Sequence, residues 1–120
     1  MVVDDLDALQ EKFAACDTIA FADLSTQMIL VTNSATSLPR EGLDNLCAEA
    51  ALTMGTKRQQ FLGTEPSASA VVASRGQIRI FIRAKSEPND VMCCVSSSNL
   101  DINAFLADAQ PLLEKLSTGG

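Results

Sequence analysis

The chain has no histidine, no tryptophan and no tyrosine, and phenylalanine is its only aromatic residue type. Without histidine, Ser-His-Asp and Cys-His arrangements are excluded, together with the commonest general base. Ser96, Ser97 and Ser98 lack a G-x-S-x-G elbow and fall where a strand passes into a helix, as turn and capping residues do. Neither a G-x-x-x-x-G-K-[ST] phosphate loop nor a G-x-G-x-x-G fingerprint occurs, so any nucleotide in this protein's work is brought by a partner. The sequence predicts a non-enzyme that carries no cofactor.

Positive charge is also scarce. Nine Lys and Arg stand against 15 Asp and Glu, a net charge of −6. Such a surface repels phosphate backbones and anionic lipid, and the only basic pair is Lys57-Arg58, so neither nucleic acid nor a membrane is an expected partner. Arg40, Arg58, Arg75, Arg79 and Arg83 read as solvated charges, with nothing marking one as an arginine finger. No apolar run is long enough to span a bilayer. Asp4, Asp5 and Asp7 stand where a secretory signal would be basic, which predicts a cytoplasmic protein. Cys16, Cys47, Cys93 and Cys94 lack the C-x-x-C spacing of zinc and redox sites, and each lies in an apolar pattern, as small buried thiols do.

What the chain does have is an ordered change of apolar spacing: helix, two strands, helix, three strands, helix. With 47% hydrophobic residues over 120 positions, this suits one domain over 1–120, ordered roughly from 4 to 116, with a loose tail at 117–120. Leu6, Leu9, Phe13 and Cys16 recur at helical spacing, predicting a first helix from Asp5 to Cys16 with its aspartates at the positive end of the dipole. The runs TIAFA and Met28–Val31 flank the polar Asp23–Gln27 as a hairpin. A second helix begins near Pro39, with Ser37 as a candidate N-cap; Gly55 could end it, while Phe61 and Gly63 suggest a later end. Its Leu43, Leu46, Cys47, Ala50 and Met54 form one apolar stripe, while Ala48, Ala51, Leu52 and Gly55 form another. A helix apolar on nearly all sides needs cover on more than one, and a second subunit can supply it.

From Pro66 to Ser74 a charge-free third strand is expected, followed by a tight turn at Arg75-Gly76. A fourth strand alternates Ile78, Ile80 and Ile82 on a buried face with Arg79, Phe81 and Arg83 on a partly solvated one. VMCCV forms the fifth. TIAFA and VMCCV are apolar on both faces and so belong in the middle of the sheet. The third strand has no edge-protecting charge and invites pairing with another chain. A last helix runs from the cap Asp101 along Ile102, Phe105, Leu106, Ala109, Leu112 and Leu116, with a kink or break expected at Pro111.

This order, and the stretches IAFADLSTQMILVT, LDNLCAEAALTM, AVVASRGQIRIFIRA and VMCCVSSSNLDINAFLADAQPLLEKL, resemble the Roadblock/LC7 family of dynein light chain-like domains, found also in GTPase regulators. The likeness covers nearly the whole chain. It departs at the hairpin, where Asp23 is followed by Leu24, Ser25 and Thr26 rather than by a glycine-containing turn. The resemblance implies an α+β fold with a five-stranded antiparallel sheet in the order 2-1-5-4-3, the second helix on one face and the first and third on the other. It implies a homodimer, or a heterodimer with a paralogue, joined through the third strand and second helix. Here those positions are Ala68, Ala70 and Val72, and Ala48, Ala51, Leu52 and Gly55. It further implies a non-catalytic regulator or scaffold of a Ras-like small GTPase. A small-molecule sensor is the alternative, to be marked by a cavity with convergent polar groups.

Overall fold

The computed structural model describes residues 2–54, 69–85, 87 and 89–117. The first helix, α1, spans Val2–Lys12 rather than Asp5 to Cys16. Cys16 instead opens strand β1 (Cys16–Asp23), where it pairs with Ser96. Phe13 and Cys16 nevertheless face the same core as Leu6 and Leu9, so the apolar spacing runs on after the backbone has left the helix. Strand β2 (Met28–Thr32) returns antiparallel to β1. The turn needs no glycine because the Asp23 carboxylate accepts bonds from the Ser25 amide at 3.0 Å and the Ser25 hydroxyl at 2.7 Å. Gln27 takes the left-handed conformation, φ 54°, and those Ser25 bonds hold the Asp23 carboxyl below its usual range.

The second helix, α2, spans Arg40–Met54, and the Pro39 carbonyl accepts its first bond, from Leu43, at 3.0 Å. Ser37 is not its N-cap. Its hydroxyl and amide both donate to the Asp17 carboxylate, at 2.7 and 3.2 Å, tying the approach to α2 onto β1. Burial pushes the Asp17 carboxyl up, but the bonds from Ser37 and Thr18 outweigh it and leave it below its ordinary value.

Three further strands, β3 (Ser69–Ser74), β4 (Gln77–Arg83) and β5 (Asp90–Ser97), lead to helix α3 (Ile102–Ser117). The sheet order is β2-β1-β5-β4-β3, every pairing antiparallel. TIAFA and VMCCV thus occupy the middle, as their two-sided apolarity requires. One face packs on α1 and α3 through Ile19, Phe21, Ile80, Ile82, Met92, Leu6, Phe105 and Leu113, with the Phe13 and Phe105 rings edge-to-face at 5.4 Å. The other packs on α2, where Leu46, Cys47 and Ala50 meet Ala20, Ala22, Phe81, Val91 and Cys93. The Phe81 face of β4 is solvated only at its start, where Gln77 is exposed and Arg79 half-buried; Phe81 is fully buried and Arg83 is buried too.

Asp101 caps α3 as expected, its carboxylate accepting the Ala104 amide at 3.1 Å. Of the kink or break expected at Pro111, the break does not occur, and the helix continues through it. Pro111 and Ala107 are both exposed, so the Ala107 carbonyl that loses its amide partner lies in a residue that water reaches. Ser117 is no loose tail, since it ends α3 and its hydroxyl donates to Asp90 at 2.8 Å. Residues 118–120 lie outside the described residues.

Asn33, 1% exposed just after β2, holds the hairpin to the base of β1. Its side-chain oxygen accepts the Ile19 amide at 2.9 Å and its nitrogen donates to the Asp17 carbonyl at 3.1 Å. Asn33→Ala strands a buried amide and is expected to destabilise the fold by about 1–3 kcal/mol, read as a lower urea midpoint with unchanged slope.

Candidate functional site

The two sheet edges differ. In β2 the register with β1 slips between Phe21 and Ala22, which leaves Leu30 as an extra, 55% exposed residue in a bulge. A bulge re-aims an edge and discourages further pairing. In β3 every residue from Ser69 to Ser74 pairs with Ile82 to Gln77 without irregularity. Neither a charge nor a proline interrupts SAVVAS, so β3 ends the sheet as a regular strand open to extension.

The two apolar stripes of α2 expected from the sequence lie in two environments. Ala48 is exposed, Leu52 is 80% exposed and Ala51 is half-buried, whereas Leu46, Cys47 and Ala50 are spent on the sheet. The outward side is polar at its start, with Glu41, Asp44 and Asn45, and apolar toward its end at Ala48 and Leu52. Ala70 and Val72 point inward, half-buried against the α2-side core, rather than outward with Leu52. Gly55 and Ala68 lie outside the described residues. Sequence reasoning passed over Val71, which alternates with Val72 onto the opposite face and is 45% exposed. Its signal was present in the period of two along SAVVAS.

Arg79 joins α2 to β4. Its guanidinium makes two bonds to the Glu49 carboxylate, the Nη2 contact at 3.2 Å, and further bonds to Ser74 at 3.2 Å and Gln77 at 2.8 Å. It is therefore a structural clamp rather than the solvated charge that composition suggested. Beside it a groove of about 270 Å³ opens between the start of α2 and the sheet, floored by Leu38, Leu46 and Val95 and rimmed by Asn45, Glu49, Gln77 and Arg79. Arg83 is also not solvated. Burial lowers its pKa, and its Nε is the one buried side-chain nitrogen or oxygen among the described residues without a hydrogen-bond partner.

Among the described residues, no group of His, Cys, Asp and Glu is placed to hold a metal ion, and no helix is long and apolar enough to cross a membrane. Among the described residues, the candidate surface is a regular terminal strand beside a helix whose exposed end is apolar.

No family model matches the sequence, and no curated protein is significantly similar to it. Solved structures do match in three dimensions. A Roadblock/LC7 domain from Streptomyces avermitilis superposes with a TM-score of 0.78 at 11% identity, covering 94% of this chain and 92% of that one. Myxococcus xanthus MglB gives 0.77 at 13% identity, covering 99% and 96%. An MglB with a tetrameric arrangement gives 0.77 at 14% identity, covering 98% and 85%.

Proposed function

With the Roadblock/LC7 fold as premise, we propose that the protein is a non-catalytic interaction module that works as a homodimer. The observation that carries this reading is the regular, uncharged β3 at the sheet edge. A second β3 pairing with it would extend the sheet, and the exposed Ala48 and Leu52 of α2 would find cover against their counterparts, with Ala51, Gly55, Ala68, Ala70 and Val72 completing the seam. An assembly of copies is also what the tetrameric arrangement of the similar MglB suggests. Light scattering at micromolar concentration is expected to give twice the chain mass; a monomer overturns the proposal.

The joined sheet and helices would then form a cytoplasmic platform for a Ras-like small GTPase, regulating or scaffolding it, as the Roadblock/LC7 resemblance implies. Affinity capture with the dimer, run with the GTP-bound, GDP-bound and empty states controlled, is expected to recover a small GTPase. Recovery of none in any state counts against this partner and leaves the dimer standing. The groove beside Arg79 favours the alternative of a small-molecule sensor, because it combines an apolar floor with polar groups. Its Arg79 and Glu49, however, already satisfy each other, which favours the platform.

A further inference from the structure

The four cysteines divide between the two faces of the sheet. Cys47 and Cys93 lie on the α2 face, where burial pushes both thiols up. Cys16 and Cys94 lie on the α1/α3 face, and there the two sulfurs are 3.2 Å apart. The contact arises from register. Cys16 pairs with Ser96 and Ile19 with Cys94, and an irregularity between Cys16 and Thr18 brings Cys16 diagonally onto Cys94. From a separation of 3.2 Å, each sulfur need move by only about 0.6 Å to reach covalent distance.

The geometry points to Cys16 and Cys94 as a dithiol couple that a peroxide converts into a cross-strand disulfide joining β1 to β5. The two thiols are not equivalent. Cys16 is the first residue of β1, directly after the turn that contains the exposed Ala14, so a local opening of that turn would uncover it without separating the sheet. Cys94 sits in the middle of a central strand and is 0% exposed. The two sulfurs share one hydrogen bond that either can donate, so a thiolate formed on one is stabilised by the thiol of the other.

Cys16 is thus the attacking sulfur and Cys94 the resolving one. The Cys16 thiolate attacks one oxygen of hydrogen peroxide, the O–O bond breaks, and the departing hydroxide takes up the proton the thiol had lost, so that a sulfenic acid and one water form. The Cys94 thiol then attacks that sulfur, and a second water leaves as the S–S bond closes. In sum two thiols and one peroxide give one disulfide and two waters. The bond would tie the two central strands across a long loop and raise thermal stability.

The test is to treat the folded full-length chain with hydrogen peroxide, block remaining thiols by alkylation under denaturing conditions, and map the peptides by mass spectrometry. The expected product has lost two hydrogen atoms, carries a Cys16–Cys94 bridge and two alkylated cysteines, Cys47 and Cys93, and melts roughly 5–15 °C higher until a reductant is added. Cys16→Ser and Cys94→Ala are expected to abolish the bridge, and Cys47→Ser to leave it. Four alkylated cysteines, a bridge that includes Cys47 or Cys93, or Cys16 oxidised to sulfinic acid with Cys94 free would each overturn the proposal. Because the wild-type map decides between these results, the proposal does not depend on any variant folding.

Discussion

Leu52→Asp is expected to convert the proposed dimer into a folded monomer. In the single chain Leu52 is 80% exposed, so a carboxylate there costs the fold within about 0.5 kcal/mol. At the seam the same carboxylate would be buried without a partner, at about 3–5 kcal/mol, which raises the dissociation constant by roughly 10²- to 4 × 10³-fold. Sedimentation velocity across a dilution series reads the change, and circular dichroism checks that the monomer stays folded. Leu30→Asp is the matched control. It places the same charge on another exposed leucine, in the bulge at the opposite edge, and is expected to leave the dimer intact. Equal dissociation by both variants, or by neither, would remove α2 from the seam.

Phe81→Ala has the largest expected effect on the fold. The core beneath α2 is built mainly from small side chains, Ala20, Ala22, Ala50, Cys47 and Cys93, which let the helix lie close to the sheet. Phe81, 0% exposed, is the one aromatic ring in it among the described residues. Its alanine-sized neighbours cannot swing in to fill the space, so the cavity should remain largely open and cost about 3–5 kcal/mol. Thermal unfolding is expected to shift down by at least 10 °C, by order of magnitude. The variant also separates support from contact. If α2 is the dimer seam, Phe81→Ala weakens dimerisation by loosening the helix, although Phe81 faces the core and not the outer surface. A drop in melting temperature under 2 °C, roughly, would show that the α2-side core repacks and that this account of it is wrong.

Much of this architecture was legible because local pattern and tertiary environment agree. TIAFA and VMCCV could be placed at the sheet centre from their two-sided apolarity, since a strand covered by helices on both faces has no water to accommodate polar side chains. Asp101 was legible as a cap because capping is a contact between near neighbours in the chain. Errors arose where one residue type serves two environments equally well. Cys16 continued the helical spacing of α1 because the core lies on the same side of the chain after the turn as before it. Ser37 had the right chemistry and position for a cap, yet an aspartate 20 residues earlier in the chain claimed its hydroxyl. Pro111 signalled a break that solvent exposure made unnecessary.

The candidate surface shows the same division. Helical spacing set Ala48, Ala51 and Leu52 apart from the stripe of Leu46, Cys47 and Ala50, and burial follows that division except at Ala51, which is half-buried. In the third strand the spacing was not used in this way, and the fold turns Ala70 and Val72 toward α2 while leaving Val71 exposed.

By itself the sequence determined the order of helices and strands, the two central strands and the absence of histidine chemistry, because these follow from residue type and from spacing of a few residues along the chain. Only the tertiary structure decided that Val71 is exposed while Val72 packs toward α2, that Arg79 clamps Glu49 and that the Cys16 and Cys94 sulfurs meet. Each of these depends on strand register and helix rotation, which bring together residues tens of positions apart, and no local spacing records a distance of that kind.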